Sequence, residues 1–273
     1  MTGTKVLYVS QEITPYLPET EMSVIGRNLP QAIQERGREI RTFMPKFGCI
    51  NERRNQLHEV IRLSGMNIII DDSDHPLIIK VASIQAARMQ VYFIDNEDYF
   101  QRKFLFNDDK GEFFEDNDER AIFFARGVIE TVKKLQWPPS IIHCHGWFSA
   151  LVSLYVKKLY DDDPVFRNAR VVLSLYNNEF TKSLNKTFRK KLSMDGVSEQ
   201  DLKLVEDPSF VNYCKLVISL ADGVIIGSNH IHGEVMKFVE KSGKPILPYQ
   251  DPDSYVDAYS GFYDRILNGS LSK

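Results

Sequence analysis

Short apolar runs alternate with helix-length amphipathic stretches along most of this chain. Lys5-Val6-Leu7-Tyr8-Val9-Ser10 is β-branched and aromatic, the pattern of a strand buried on both faces in a parallel sheet. Beyond Pro15 and Pro18, Met22, Ile25, Leu29 and Ile33 recur at spacings of three and four, which puts them on one helical face ending at Gly37. A second strand is expected from Glu39 to Met44, completing a strand-helix-strand unit with a right-handed crossover.

The runs Met66 to Ile70, Leu77 to Val81 and Met89 to Ile94 have no helix-length interval between them and read as three antiparallel insertion strands. Asp116-Asn117-Asp118-Glu119 reads as a helix start, with Asp116 as the cap and Ile122, Ala125, Ile129 and Val132 as the apolar face. Alternation then resumes, with a strand at Ser140 to Cys144, a helix at Trp147 to Leu159 and a strand at Val171 to Leu175. A strand at Gly223 to Ser228 and a helix at Glu234 to Val239 complete it. The charged stretch between Asn178 and Phe210 reads as a long surface excursion. The order is that of an α/β, doubly wound, mostly parallel Rossmann-like sheet with an antiparallel insertion.

Composition narrows the function classes. The 273 residues are 43% hydrophobic and 26% charged, the balance of a globular protein. With 34 basic and 37 acidic residues spread along the chain there is no basic stripe for phosphate contacts, so nucleic acid is not an expected partner. Cys49, Cys144 and Cys214 are widely spaced and odd in number, which points to a reducing compartment. No run approaches the roughly 20 apolar residues of a membrane span. The expectation is a cytoplasmic protein without membrane association.

Three segments, taken in order, resemble one family. Lys5 to Pro15 looks like the opening strand and loop of the family-5 glycosyltransferases, the ADP-glucose-dependent starch and glycogen synthases. Asp116-Asn117 with Arg120 is similar to that family's Asp-Asn-x-x-Arg helix start, and Ile142-His143-Cys144-His145-Gly146-Trp147 resembles its His-x-His-Asp-Trp segment. The resemblance implies one half of a two-domain GT-B fold, spanning 1–273, with a closing tail and helix from about 245 and with the second half absent. It implies retaining α-1,4-glucosyl transfer in glycogen or starch metabolism, incomplete in this chain alone. The alternative is a non-catalytic carbohydrate-binding or regulatory module built on the same fold.

Two departures accompany the likeness. Where the family has Lys-Thr-Gly-Gly-Leu-Ala-Asp after the first strand, this chain has Pro18-Glu19-Thr20-Glu21-Met22-Ser23-Val24. Glycines there allow backbone N–H groups to approach a diphosphate at a helix N-terminus. Glu19 and Glu21 would instead oppose it, each like-charge contact at about 4 Å costing about 1 kcal/mol in water and about 4 at a dielectric near 20. Gly146 also stands where the family has Asp.

The candidate sugar-binding residues that follow are His145, Trp147, Asn177, Asp116 and Glu12. In the family the matching histidine contacts the transferred sugar and the tryptophan shapes the pocket; plain packing is the other reading of both. His145 is expected at the carboxyl end of a central strand as an exposed imidazole, with Trp147 and Asp116 bordering the same concavity. Asn177 suits a strand-end turn as well as a site, and Glu12 suits sugar hydroxyls as well as loop amides. No cofactor or metal is expected: His143 and His145 lack further ligands at metal spacing. The expected partners are an α-glucan or nucleotide sugar, and a homodimer or protein partner covering the face that a second domain would occupy.

Overall fold

The computed structural model describes residues 3–269. Along the chain it has β1 (Lys5–Ser10), α1 (Glu21–Glu35), β2 (Glu39–Pro45), β3 (His58–Glu59), β4 (Met66–Ile70), β5 (Ser73–Ile84), β6 (Met89–Asp95), α2 (Glu97–Phe100) and α3 (Asn117–Lys134). There follow β7 (Ile141–His145), α4 (Trp147–Ala150), α5 (Val152–Lys158), β8 (Arg170–Leu175), α6 (Phe188–Met194), α7 (Phe210–Leu220), β9 (Gly223–Ile226), α8 (Gly233–Lys241), β10 (Ile246–Leu247) and α9 (Tyr255–Asn268). The sheet order is β10-β9-β8-β7-β1-β2-β6-β5-β3, with β4 paired to β5. Every pairing from β10 to β6 is parallel, so the expected doubly wound α/β sheet is the fold. Among the described residues no helix is long and apolar enough to cross a membrane.

Two sequence expectations are corrected. Met89 to Ile94 is not an insertion strand: β6 pairs parallel with β2, from Thr42 opposite Val91 to Pro45 opposite Ile94. Val91, Tyr92, Phe93 and Ile94 are buried consecutively, as a parallel strand covered on both faces must be. Only β3, β4 and β5 are antiparallel additions. The stretch between Asn178 and Phe210 is not a simple surface excursion either. It buries Leu184, Phe188, Leu192, Val197, Leu202 and Val205, and α6 sends Lys191 inward to Asp118 at 2.8 Å and Glu119 at 2.6 Å. A lysine so placed looks like a surface residue in sequence, because its apolar stem and its charge serve different neighbours. Burial pushes the Asp118 carboxyl up to about 6 against the pull of the Lys191 ammonium.

The start of α1 departs from the sequence reading in its detail. Thr20 Oγ1 accepts from Ser23 N at 3.0 Å, and Ser23 Oγ accepts from Thr20 N at 2.8 Å. This reciprocal cap satisfies two of the amides that a helix N-terminus leaves open. Gly26 lets the helix approach the loop after β1: a Cβ there would lie 2.7 Å from the Glu12 carbonyl oxygen. Between β7 and α4 the backbone turns at Gly146 with φ 82 and ψ 163, a region open to glycine almost alone.

Helices α3, α4, α5 and α7 cover one face of the sheet, while α1 and α9 cover the other. The second face carries a buried polar layer. His143 and His145 are fully buried with ring centroids 3.9 Å apart. His143 is hydrogen-bonded to Tyr263 Oη at 2.6 Å and Ser174 Oγ at 2.7 Å, and His145 Nδ1 to Tyr176 Oη at 2.8 Å. Burial depresses the basicity of both rings, His145 to about 3, and His143 is lowered further by its neighbour. Arg38 ties α9 down from outside through Asp264 at 3.0 Å.

Two outcomes follow. Because both folded histidines sit below their ordinary value near 6.5, the folded chain keeps them neutral while the unfolded chain protonates. Stability is therefore full above about pH 6.5 and falls as pH decreases, by about 1.4 kcal/mol per pH unit for each histidine. Asp118 opposes one of them between about 6 and 3.8, where the folded chain binds the extra proton. In urea titrations between pH 6 and 4, His145→Gln is expected to flatten the slope by about 1.4 kcal/mol per pH unit; an unchanged slope would show that His145 takes no part. Gly146→Ala places a Cβ 2.8 Å from Gln11 Oε1 and 2.9 Å from Met22 Cε. It is expected to lower stability by about 1–3 kcal/mol in the same titrations.

Candidate functional site

The loops that leave the carboxyl ends of β1, β7 and β8 converge, which is where open α/β sheets bind ligands. The loop after β1 is fixed by Gln11, buried, whose backbone N–H donates to His145 O at 3.1 Å. Its side-chain Oε1 accepts from Phe148 N and from Asn178 Nδ2, both at 3.3 Å. Gln11 Nε2 donates to Glu12 Oε1 at 3.2 Å, and Thr20 Oγ1 donates to Glu12 Oε2 at 2.8 Å. Glu12 is thereby held half-exposed between the loop after β1 and the start of α1.

Two cavities open on either side of Glu12. One, of about 300 Å³, has an aromatic wall of Phe106, Phe113, Trp147 and Phe180, and polar groups from Gln11, Glu12, Asn107, Asn178, Glu179 and Thr181. The other, of about 280 Å³, is bounded by Glu12, Thr20, Glu21, Tyr176, Asn177, Asn178 and Ser228. Glu12 and Asn178 border both. The aromatic wall is a packed unit: the Trp147 ring centroid lies 5.0 Å from that of Phe106 and 4.9 Å from that of Phe180.

A buried arginine holds that wall. Arg120 is fully buried and donates to Tyr99 O at 2.8 Å, Leu105 O at 2.6 Å and Asn117 Oδ1 at 2.6 Å. Asn117 Nδ2 in turn donates to Phe106 O at 2.8 Å. The guanidinium, lowered to about 9 by burial, lies over the rings of Phe47, Phe100, Phe114 and Phe148. The Asp-Asn-x-x-Arg segment thus shapes the segment 99–106 from behind, at a distance from the cavity itself.

Of the five residues singled out in the sequence, Glu12 meets Trp147 at the larger cavity and Asn177 at the smaller. His145 and Asp116 border neither. The expected exposed imidazole is corrected: His145 has 0% exposure and Tyr176 stands between it and the smaller cavity. The cause is Tyr176, from the loop after β8, which with Tyr8 and His143 packs around the ring. Asp116 occupies the cap position of α3, but its side chain makes no cap bond. It pairs instead with Arg102 through both oxygens, at 2.6 and 2.5 Å. Gln11, Asn107, Asn178 and Glu179 were missed. Gln11 and Asn178 adjoin Glu12 and Asn177 in sequence, a position that offers a signal for the loop but not for which side chain turns inward.

Comparison with known proteins accords with this arrangement. A family model described as the starch synthase catalytic domain matches residues 5–244. The glycogen synthase of Chlorobium luteolum is 40% identical over 174 residues, covering 63% of this chain and 36% of the relative. That of Chlorobaculum tepidum is 41% identical over 174 residues with the same coverage. The chain thus spans about a third of the length of these curated relatives. Among solved structures, the catalytic domain of starch synthase IV from Arabidopsis thaliana, bound to ADP and acarbose, superposes with a TM-score of 0.71 at 18% identity, covering 91% of this chain and 52% of that one. With a parallel sheet of this order and a family match over most of its length, the chain belongs to the starch synthase catalytic domain family.

Proposed function

We propose that this chain serves glycogen- or starch-synthase-type glycosyl transfer as the half that holds the glucan, and that it does not hold a nucleotide at the start of α1. The observation that carries the glucan reading is the larger cavity, where Glu12 faces an aromatic wall between the amides of Gln11 and Asn178. Sugars offer apolar C–H faces to rings and hydroxyls to carboxylates and amides, and this lining supplies both. The solved relative bound to ADP and acarbose lends the fold's support to sugar chemistry at such a face.

The second part of the reading rests on α1. Two amides at its start, those of Thr20 and Ser23, are taken by the reciprocal cap, and Glu21 accepts from Ser228 Oγ at 2.5 Å and from the Tyr249 hydroxyl. A carboxylate of the chain itself occupies the place where the family's glycine loop would admit a diphosphate. In this reading the 273 residues form the glucan-facing half, in the cytoplasm, and retaining α-1,4-glucosyl transfer requires a further protein surface facing the carboxyl ends of the strands. A continuation of the same polypeptide, a second copy or another polypeptide would each meet that requirement.

Calorimetry with maltoheptaose is expected to show saturable binding, weakened about tenfold by Glu12→Gln through loss of a charge-assisted hydrogen bond. ADP and ADP-glucose are expected to give no heat under the same conditions. Absence of any maltoheptaose binding would overturn the glucan reading. Glycogen elongation from ADP-glucose by the chain alone, at enzyme-like rates, would overturn the view that a facing surface is needed.

A further inference from the structure

A third cavity, of about 470 Å³, lies apart from the glucan face, between the first two turns of α1 and the segment that leads into α9. Its size is within the range of small-molecule sites. Tyr249, Tyr255 and Tyr259 contribute to its walls, the last two with ring centroids 5.6 Å apart and ring planes at 80°. Glu19 and Glu21 stand at its edge, and none of its lining residues is Lys, Arg or His.

No cation among the described residues offsets the charge around it, although Glu21 accepts hydrogen bonds from Ser228 Oγ and the Tyr249 hydroxyl. Among the described residues neither Glu19, Glu21 nor Asp251 forms an ion pair, whereas lysines and arginines elsewhere on the surface are widely engaged. The hydrogen bond to Glu21, with burial and the Glu21 and Asp251 charges, raises the Tyr249 phenol above its ordinary value. An anion would meet two carboxylates and no donor of positive charge. A neutral apolar molecule would fit the walls but leave the carboxylates without a role. Aromatic faces carry a negative quadrupole that attracts cations, and carboxylates add a full charge of the same sign.

We infer that this cavity binds a small organic cation of the alkylammonium class, its charge between the Glu19 and Glu21 carboxylates and its alkyl groups against Tyr249, Tyr255 and Tyr259. The site is distinct from the Glu12 cavities in its aromatic wall and in its ligand charge. Glu21 stands at the boundary between it and the smaller of them. The inference does not depend on glucan binding.

Choline serves as the probe, beside the uncharged isostere in which carbon replaces the quaternary nitrogen. Isothermal titration of the full chain is expected to show choline binding at one site, with the isostere about tenfold weaker or worse. Glu19→Gln, at an exposed position, and Tyr255→Leu are each expected to weaken choline about tenfold, while maltoheptaose binding is unchanged by Glu19→Gln. Thermal unfolding of each variant confirms that it is folded. Equal binding of choline and its isostere, no choline binding at millimolar concentration, or choline binding indifferent to Glu19→Gln and Tyr255→Leu would each overturn the inference. Loss of glucan binding alone would strike the functional proposal and leave this one standing.

Discussion

A sheet of parallel strands must be covered on both faces, and here the cover on one face is completed by tyrosines of a helix more than a hundred residues away in sequence. Tyr259 and Tyr263 of α9 reach the central strands, and Tyr263 meets His143. Two imidazoles placed side by side in an apolar interior are costly unless hydroxyls satisfy them. Ser174, Tyr176 and Tyr263 supply hydroxyls to three of the four ring nitrogens, from β8, the loop after it and α9, and His145 Nε2 is left without one among the described residues. Tyr259, on the same helix, also borders the cavity beside the start of α1.

Much of the architecture was legible because it rests on local pattern. The apolar face of α1 and the strands β1, β2, β7 and β8 appear as runs or periodicities that need no knowledge of their neighbours. What escaped was set by partners distant in sequence. Whether β6 runs with β2 or against it depends on pairing, which a run of six residues does not encode. The inward turn of Lys191 depends on Asp118, 73 residues earlier. The site divides in the same way. Trp147, Glu12 and Asn177 lie just past the ends of strands, a place that was readable, and they do border cavities. His145 was misjudged because a strand pattern shows which face a side chain takes and says nothing of the side chains, Tyr176 foremost, that cover it.

The motifs shared with the starch synthase family divide their labour in this chain. The Asp-Asn-x-x-Arg segment shapes a wall through Arg120, and the His-x-His segment supplies a buried polar layer. The loop after β1, which departs most from the family, seals the start of α1 with its own side chains. Compared with the family's glycine loop, the start of α1 is rebuilt in this chain around the carboxylates of Glu19 and Glu21 and the phenol of Tyr249. Gly146 is a second departure, because its backbone conformation suits glycine where the family has an acidic residue.

The ends of the sheet carry a different consequence. At one side it stops at β10 and at the other at β3, each only two residues long. Off the main path, β4 has its Ile69 carbonyl taken by Arg126 at 2.6 Å. Unpaired strand borders are templates on which another chain can add itself, and shortness or an arginine across the carbonyls blunts them. A sheet this wide, with its interior strands so rich in valine and isoleucine, thus presents very little backbone on which fibrillar stacking could start.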